Sequence, residues 1–168
     1  AVELYPRAEP SAGKKTPMKI ALLPALRHIR PFIGSDADRK WSATMVILGG
    51  MALAANNAMI ACCACEAFKT EVQLPFYLID ELLRIGIEPE AYTLDPNSIT
   101  FYWGKQWLKG QLIVEQWPLE TAKKWLAEKT KMLPLPKDFA ASVARLVPFC
   151  PDKAFPVICF TKGGLSTV

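Results

Sequence analysis

The chain has 168 residues, enough for one large domain or for one domain and a half, and 51% of them are hydrophobic. With 21% charged residues, this composition excludes global disorder. The net charge of +4, from 20 basic and 16 acidic residues, indicates at most a weak preference for polyanionic partners. It excludes a dedicated nucleic-acid-binding tail. Five cysteines, three of them crowded into residues 62–65, make a poor disulfide framework and favour a reducing compartment.

Two short segments of the sequence are nearly alike. "VELYP" at 2–6 and "VEQWP" at 114–118 share a Val-Glu start and an aromatic-Pro end, and their prolines are 112 residues apart. A Leu-Pro pair at 23–24 recurs at 135–136, again after 112 residues, and a Gly-Gly pair at 49–50 recurs after 114 residues. Because several features share nearly one register, the sequence predicts a repeating unit of about 112 residues.

The repeat length sets the expected boundaries along the chain. Residues 1–17 are predicted to hold the last strand of a preceding unit and a polar linker. A complete unit is predicted over residues 18–121, and residues 122–168 are predicted to hold a charged connector and the first half of a further unit. We therefore interpret the chain as an excerpt from a longer repeating protein.

An uncharged apolar stretch at 45–65 resembles a membrane span in composition. It is interrupted by Gly49-Gly50 and by Asn56-Asn57, which are two-residue turn formers that supply the positive φ of tight hairpins. A membrane-spanning helix needs about 20 residues without such breaks. The stretch therefore predicts three short strands in an antiparallel meander, and no contact with a membrane is expected.

Amphipathic helices are predicted after each Leu-Pro pair. In the middle one, apolar residues fall on one face at helical spacing (Leu78, Ile79, Leu82, Leu83 and Ile85). In the last one, the stripe is Phe139, Val143, Leu146 and Val147. The proline after each Leu is expected in the first helical turn, and Pro31 and Pro148 are expected to end the first and last helices.

Strands complete the predicted unit. In "SITFYW", Ile99, Phe101 and Trp103 share one face and Thr100 and Tyr102 the other. "LIVEQWP" at 112–118 is predicted to be the closing strand, with Trp103 and Trp117 filling the core between sheet and helices. The fold class is therefore α+β, with antiparallel meanders covered on one face by two helices per unit.

These patterns resemble the bacterial DNA sliding clamp, the beta subunit of DNA polymerase III. The resemblance covers nearly the whole chain. Residues 18–41, which run from "MKIALLP" to "DADRKW", resemble the opening of the clamp's middle domain, and "MVILGGMALAANNAMIACCA" at 45–64 resembles its signature hairpin. Residues 72–118 resemble the rest of that domain, with its "Asn-x-Ile-x-Phe" strand, and residues 133–168 resemble the first half of the third domain.

The resemblance implies a ring that holds a polymerase on DNA by topology, without catalytic residues, cofactors or a metal. Such a ring would act in the cytoplasm and hold duplex DNA through non-specific, salt-sensitive phosphate attraction at its inner helices. The DNA-binding candidates that it implies are Arg27, His28, Arg30, Arg84, Lys137 and Arg145. The alternative for these side chains is that they only solvate the helices.

The resemblance also implies a pocket for short peptides of polymerases and clamp loaders. The family signature Thr-Asp-Gly-His-Arg-Leu falls on residues 55–60 of this chain, where its His and Arg are replaced. The implied pocket residues are Ala55, Asn57, Ala58, Met59, Ile60 and Pro118. Because the signature is altered, the resemblance supports the fold better than it supports ordinary partner binding.

Two other functions compete with the clamp. Cys62, Cys63 and Cys65 beside a single histidine could suggest a metal or thiol enzyme, but one strand places them on both of its faces, as buried apolar side chains would be. A clamp-fold relative from a phage or mobile element could instead be a protein-interaction module without a ring. Self-association is also expected, because a half-unit leaves an unpaired sheet edge.

Overall fold

A computed structural model describes residues 9–34, 40–56, 59–113, 115–127, 134–151, 158–161 and 164–167. The chain divides into two compact units, Ala1–Leu126 and Ala127–Val168. The strand predicted at the start of the chain, "AVELYP", lies outside the described residues. The division into a linker, a complete domain and half of a further domain stays a prediction.

The first unit contains eight described strands and three helices, the last of which ends one residue beyond the unit's boundary. The strands are β1 (Thr16–Pro17), β2 (Thr44–Leu48), β3 (Met51–Ala55), β4 (Ile60–Ala64), β5 (Val72–Pro75), β6 (Ala91–Asp95), β7 (Ser98–Trp103) and β8 (Gln106–Gln111). The helices are α1 (Leu23–Ile29), α2 (Phe76–Ile85) and α3 (Leu119–Ala127), with short 3₁₀ turns at Arg30–Phe32 and Lys40–Ala43. All strand pairs among the described residues of this unit are antiparallel, in sheet A (order β1-β6-β7-β8) and sheet B (order β4-β3-β2-β5).

The meander predicted in the apolar stretch is present as β2, β3 and β4. Gly49 and Gly50 form its first turn with φ of 59° and 80°, which residues with a Cβ rarely adopt. At the second turn, the Asn56 N–H donates to the Met59 carbonyl at 2.9 Å. Within the described ranges, none of the helices is long and apolar enough to cross a bilayer.

The main core lies between the helices and the inner faces of both sheets. Leu26 and Ile29 of α1 pack there with Leu78, Ile79 and Leu82 of α2, as the helical spacing predicts. In sheet A, Ile99 and Phe101 face this core, which confirms the predicted alternation of β7. α2 approaches β8 so closely that a Cβ on Gly110 would lie 2.8 Å from both terminal methyl carbons of Leu78.

Sheet B is buried on its second face as well, which the sequence did not predict. Val46, Leu53 and Ala55 alternate with the residues that face the main core, and they pack against Trp117 and Ala122. These five residues form the Trp117 cluster. Trp117 donates its indole N–H to the Trp41 carbonyl at 3.2 Å, and the two rings meet edge to face at 5.6 Å. Trp117 is therefore in the core, but on the face of sheet B that lies away from α1 and α2.

The closing strand predicted at 112–118 is wrong for the residues described there. β8 ends at Gln111, and only Val114 of the following segment lies outside the described residues. The Gln73 side-chain amide donates to the Glu115 carbonyl at 2.8 Å, so a side chain takes the place of a ladder partner. Trp117 is then buried against sheet B, so by this point the segment has left the edge of sheet A.

The segment predicted as a polar linker packs on the outer face of sheet A. Its strand β1 pairs with β6 through Thr16 and Pro17. Ser11 donates its hydroxyl to Asp95 at 2.8 Å, and the ammonium of Lys15 lies 4.0 Å from the ring centre of Tyr102. The outer face of sheet A is consequently covered, which explains why the threonines and Tyr102 on this face are buried.

The second unit contains α4 (Phe139–Leu146), a 3₁₀ turn at Val147–Phe149, β9 (Ile158–Thr161) and β10 (Gly164–Thr167). β9 and β10 form an antiparallel hairpin, as the recurring Gly-Gly pair predicts. Pro148 is the second residue after α4, as Pro31 is the second residue after α1. The expectation of a proline in every first helical turn holds only for α1, because Pro75 is the N-cap of α2 and Pro136 precedes Asp138, the N-cap of α4.

Candidate functional site

The outer faces of α1 and α2 carry four of the predicted DNA-binding residues. α1 and α2 contact each other, and their apolar stripes are turned towards the main core. Arg27 and His28 are exposed in the last turn of α1, Arg30 is half-buried just after it, and Arg84 is exposed in the last turn of α2. The fold therefore brings these four residues onto one surface, formed by the outer faces of α1 and α2 and called the helical layer below.

Two of these four residues, Arg30 and Arg84, form ion pairs with carboxylates. Arg30 donates from Nε and Nη2 to the two oxygens of Asp80, and this pair links α1 to α2. Arg84 donates to both oxygens of Glu81, at 2.8 and 2.6 Å, within α2. These hydrogen bonds lower the pKa of Asp80 and of Glu81 below their usual values. The layer is therefore less positive than a count of its arginines suggests.

An exposed aromatic pair at the start of α2 was missed from the sequence. Phe76 and Tyr77 are 40% and 45% exposed, and their rings meet edge to face at 5.7 Å. The guanidinium carbon of Arg30 lies 5.8 Å from the centre of the Phe76 ring. The signal was available, because two aromatic residues follow Pro75 at the helix start, outside the apolar stripe of α2.

The two candidates in the second unit lie at α4. Lys137 is exposed just before the helix, and Arg145 is exposed in its last turn. Arg145 donates from Nε to the Ala141 carbonyl at 3.3 Å, so its side chain lies along its own helix. Both side chains are accessible within their unit.

The structure brings three of the predicted pocket residues to one side of sheet B. Ala55 and Ile60 are paired across β3 and β4, and both pack with the Trp117 cluster. Pro118 follows Trp117 and lines a groove of about 660 Å³ together with Gln73 and Glu115. Met59 is 45% exposed at the turn, away from any described pocket contact, while Asn57 and Ala58 lie outside the described residues.

Known structures share this arrangement of helices and sheets. The DNA polymerase III subunit beta of Pseudomonas aeruginosa matches 94% of this chain with a TM-score of 0.69 at 17% identity. A DnaN sliding clamp from Bartonella birtlesii, solved with griselimycin bound, matches 98% with a TM-score of 0.66 at 15% identity. The DNA polymerase III beta chain of Streptococcus pneumoniae matches 98% with a TM-score of 0.63 at 14% identity. The chain has the sliding-clamp fold.

The similarity of this chain to sliding clamps is found by comparing structures and not by comparing sequences. The chain spans about half the length of these proteins, between 47% and 52% of each. No family model matches the sequence, and no curated protein matches it either. In this clamp fold, α1 and α2 form the helical layer, and the Trp117 cluster covers the opposite face of sheet B.

The cysteines of the clamp fold are packed as apolar side chains. Cys63 packs against the main core and Cys62 against the Trp117 cluster, so they lie on opposite faces of β4 as the sequence predicts. Burial raises the pKa of the Cys63 and Cys65 thiols, which disfavours the reactive thiolate. Among the described residues, no group of three His, Cys, Asp or Glu side chains is arranged to hold a metal ion.

Proposed function

We propose that this chain is part of a sliding-clamp-like processivity factor that contacts duplex DNA without reading its sequence. The observation that carries the proposal is the clamp fold over 94% or more of the chain. The alternative, a clamp-fold interaction module without a ring, would share this fold, so the duplex-binding test below separates the two. In this role the protein has no catalytic step, needs no cofactor and works in the cytoplasm.

The DNA-contacting residues in this proposal are Arg27, His28, Arg30, Arg84, Lys137 and Arg145. Arg27 contributes most in the first unit, because no ion pair involves it among the described residues, whereas Arg30 and Arg84 share their charge with carboxylates. Lys137 contributes in the second unit as an exposed point charge. Phosphate contacts of this kind give affinity that falls steeply with added salt.

The test is duplex binding by Arg27→Ala and Lys137→Ala variants, measured by fluorescence anisotropy with a labelled duplex between about 50 and 200 mM NaCl. Each variant is expected to weaken binding equally for all sequences and to reduce the slope of log K against log salt by about 1. The matched control is Lys109→Ala. Lys109 is exposed and pairs with Thr100, so it lies on the face of sheet A that is turned away from the helices. A salt-independent affinity, or an equal loss in the control, contradicts the proposal.

The same proposal assigns the surface around Ala55, Ile60 and Pro118 to short peptides of a DNA polymerase or clamp loader. Asn57, Ala58 and Met59 belong to the proposed pocket by sequence position. We also propose that copies of the chain associate, because the described sheet of the second unit has only the two strands β9 and β10 and leaves strand edges unpaired. Light scattering that shows a monomer at high protein concentration would contradict the association.

A further inference from the structure

The aromatic pair on the helical layer adds a chemistry that phosphate attraction does not need. Phe76 and Tyr77 begin α2, where a helix that only faced solvent would carry polar side chains. Their exposed fractions of 40% and 45% leave ring surface in contact with water. Aromatic residues and arginine are enriched at binding interfaces relative to the rest of a protein surface.

The aromatic pair is held in place by its neighbours. The Tyr77 hydroxyl donates to the Gln111 carbonyl at 2.8 Å, which ties the ring to the end of β8. Arg30 lies over the Phe76 ring and is itself fixed by Asp80, the carboxylate one turn further along α2. A pre-positioned ring loses little conformational entropy when a flat ligand stacks on it.

The charges around the pair favour an anionic ligand. The helical layer carries three arginines, Arg27, Arg30 and Arg84, against the two carboxylates of Asp80 and Glu81. Both carboxylates are bound by arginines, and Arg27 is exposed. A ligand that presents a flat ring beside a negative group would therefore match both the aromatic pair and the arginines.

Single-stranded nucleic acid has this combination of groups. In a duplex, each base is stacked between its neighbours and offers no free face, whereas an unpaired base can stack on an aromatic side chain. We propose that the helical layer binds single-stranded nucleic acid, with an unpaired base stacked on Phe76 and the adjoining phosphates at Arg27 and Arg30. This inference deepens the proposed function, on which it rests only for placing nucleic acid on α1 and α2.

The experiment compares two variants of the same ring in the full chain. Phe76→Leu keeps apolar volume but removes the flat face, and Phe76→Trp keeps a flat face. Binding of labelled oligo(dT), oligo(rU) and a duplex is measured by anisotropy, with circular dichroism confirming that both variants fold. We expect Phe76→Leu to weaken single-strand binding roughly tenfold and Phe76→Trp to leave it within about twofold, with duplex affinity unchanged in both. The oligo(dT) and oligo(rU) arms show whether the strand is DNA or RNA.

The outcomes separate this inference from the proposed function. Equal losses in Phe76→Leu and Phe76→Trp, or no binding of either single strand, overturn the stacking while the duplex result stands by itself. Single-strand binding that depends on the ring, in a protein that does not bind duplex, supports the stacking and contradicts the duplex proposal. Phe149→Ala, the loss of a phenylalanine that is 74% exposed in the second unit, is the control for general surface hydrophobicity.

Discussion

Helix α1 of the first unit and helix α4 of the second end in the same way. Each runs into a 3₁₀ turn that contains a proline, at Arg30–Phe32 and at Val147–Phe149. In each, the N–H of the next residue donates back to the start of the turn, from Ile33 at 3.2 Å and from Cys150 at 3.1 Å. That next residue is extended and buried in both units. Local structure is therefore reproduced although the two endings are 117 residues apart.

Burial separates the two helices. α1 buries four residues, and α4 buries none of its own. α1 packs against α2 and sheet B, whereas the described elements of the second unit offer α4 only its own 3₁₀ turn and the β9–β10 hairpin. Sequence pattern thus sets where each helix ends, while the number of neighbouring elements sets how much the apolar stripe of the helix stabilises its unit.

The largest expected effect comes from the last residues of the two helices, Ile29 of α1 and Leu146 of α4, when each is replaced by alanine. Ile29 is fully buried in α1, and Leu146 is half-buried in α4. Ile29→Ala is expected to lower the free energy of unfolding by about 2–5 kcal/mol, because it leaves a cavity in packed surroundings. Leu146→Ala should cost about 1 kcal/mol, because part of its side chain is already in water.

Urea unfolding can follow the two units separately. All five tryptophans precede residue 127, so their fluorescence reports the first unit, while circular dichroism reports the helices of both. Ile29→Ala should shift the fluorescence midpoint, and Leu146→Ala should leave it unchanged. A shift of similar size in both variants would show that the burial difference between α1 and α4 has no energetic consequence.

An effect of intermediate size tests whether the packing of α2 against β8 stabilises the first unit. Because a Cβ on Gly110 would lie 2.8 Å from the methyl carbons of Leu78, Gly110→Ala must displace that side chain from β8. We expect a loss of about 1–3 kcal/mol in unfolding free energy. In a Leu78→Ala background the same change should cost less than about 0.5 kcal/mol, because the space is then empty. Additive losses would show that the contact is not what holds α2 in place.

The turns of sheet B could be predicted from the sequence, but the coverage of its second face could not. Gly-Gly between two apolar runs is a local signal, and it gave β2, β3 and the hairpin register. Which side of a sheet packs against Trp117 follows from the route of the chain after β8. That route brings Glu115 to the side chain of Gln73, more than 40 residues away in the sequence, which no local pattern indicates. The alternation of "LIVEQWP" fits a strand equally well, so the sequence predicted one.

In the candidate site, too, the sequence predicts the local features and not the contacts between distant residues. The positions of Arg27, His28, Arg30 and Arg84 on the outer helix faces follow from helical spacing. The Arg84–Glu81 pair is also local, since its members are three residues apart on one helix. The Arg30–Asp80 pair joins residues 50 positions apart, so it becomes visible only once α1 lies against α2.

The smallest expected effect concerns the interhelical pair of Arg30 and Asp80. The ending of α4 has no counterpart of Arg30, because the residue that follows α4 is the uncharged Val147. Both side chains are partly exposed, so Asp80→Asn should lower the unfolding free energy by only about 0.5 kcal/mol near neutral pH. Because the hydrogen bonds from Arg30 lower the pKa of Asp80 in the folded state, the stabilisation is present above the ordinary value of 3.8 and is lost as the pH falls through the lowered value. The difference between wild type and Asp80→Asn should therefore shrink below pH 3.8.

Glu81→Gln is the matched control, since it removes the same charge from α2 but breaks only the pair with Arg84 inside that helix. Hydrogen exchange at the Ile33 amide, which closes the 3₁₀ turn after α1, separates the two variants. Asp80→Asn should speed this exchange, because the turn loses its tie to α2, and Glu81→Gln should not. Equal acceleration in both would mean that the charge on α2 matters and the tie between the helices does not, which would leave packing alone to distinguish α1 from α4.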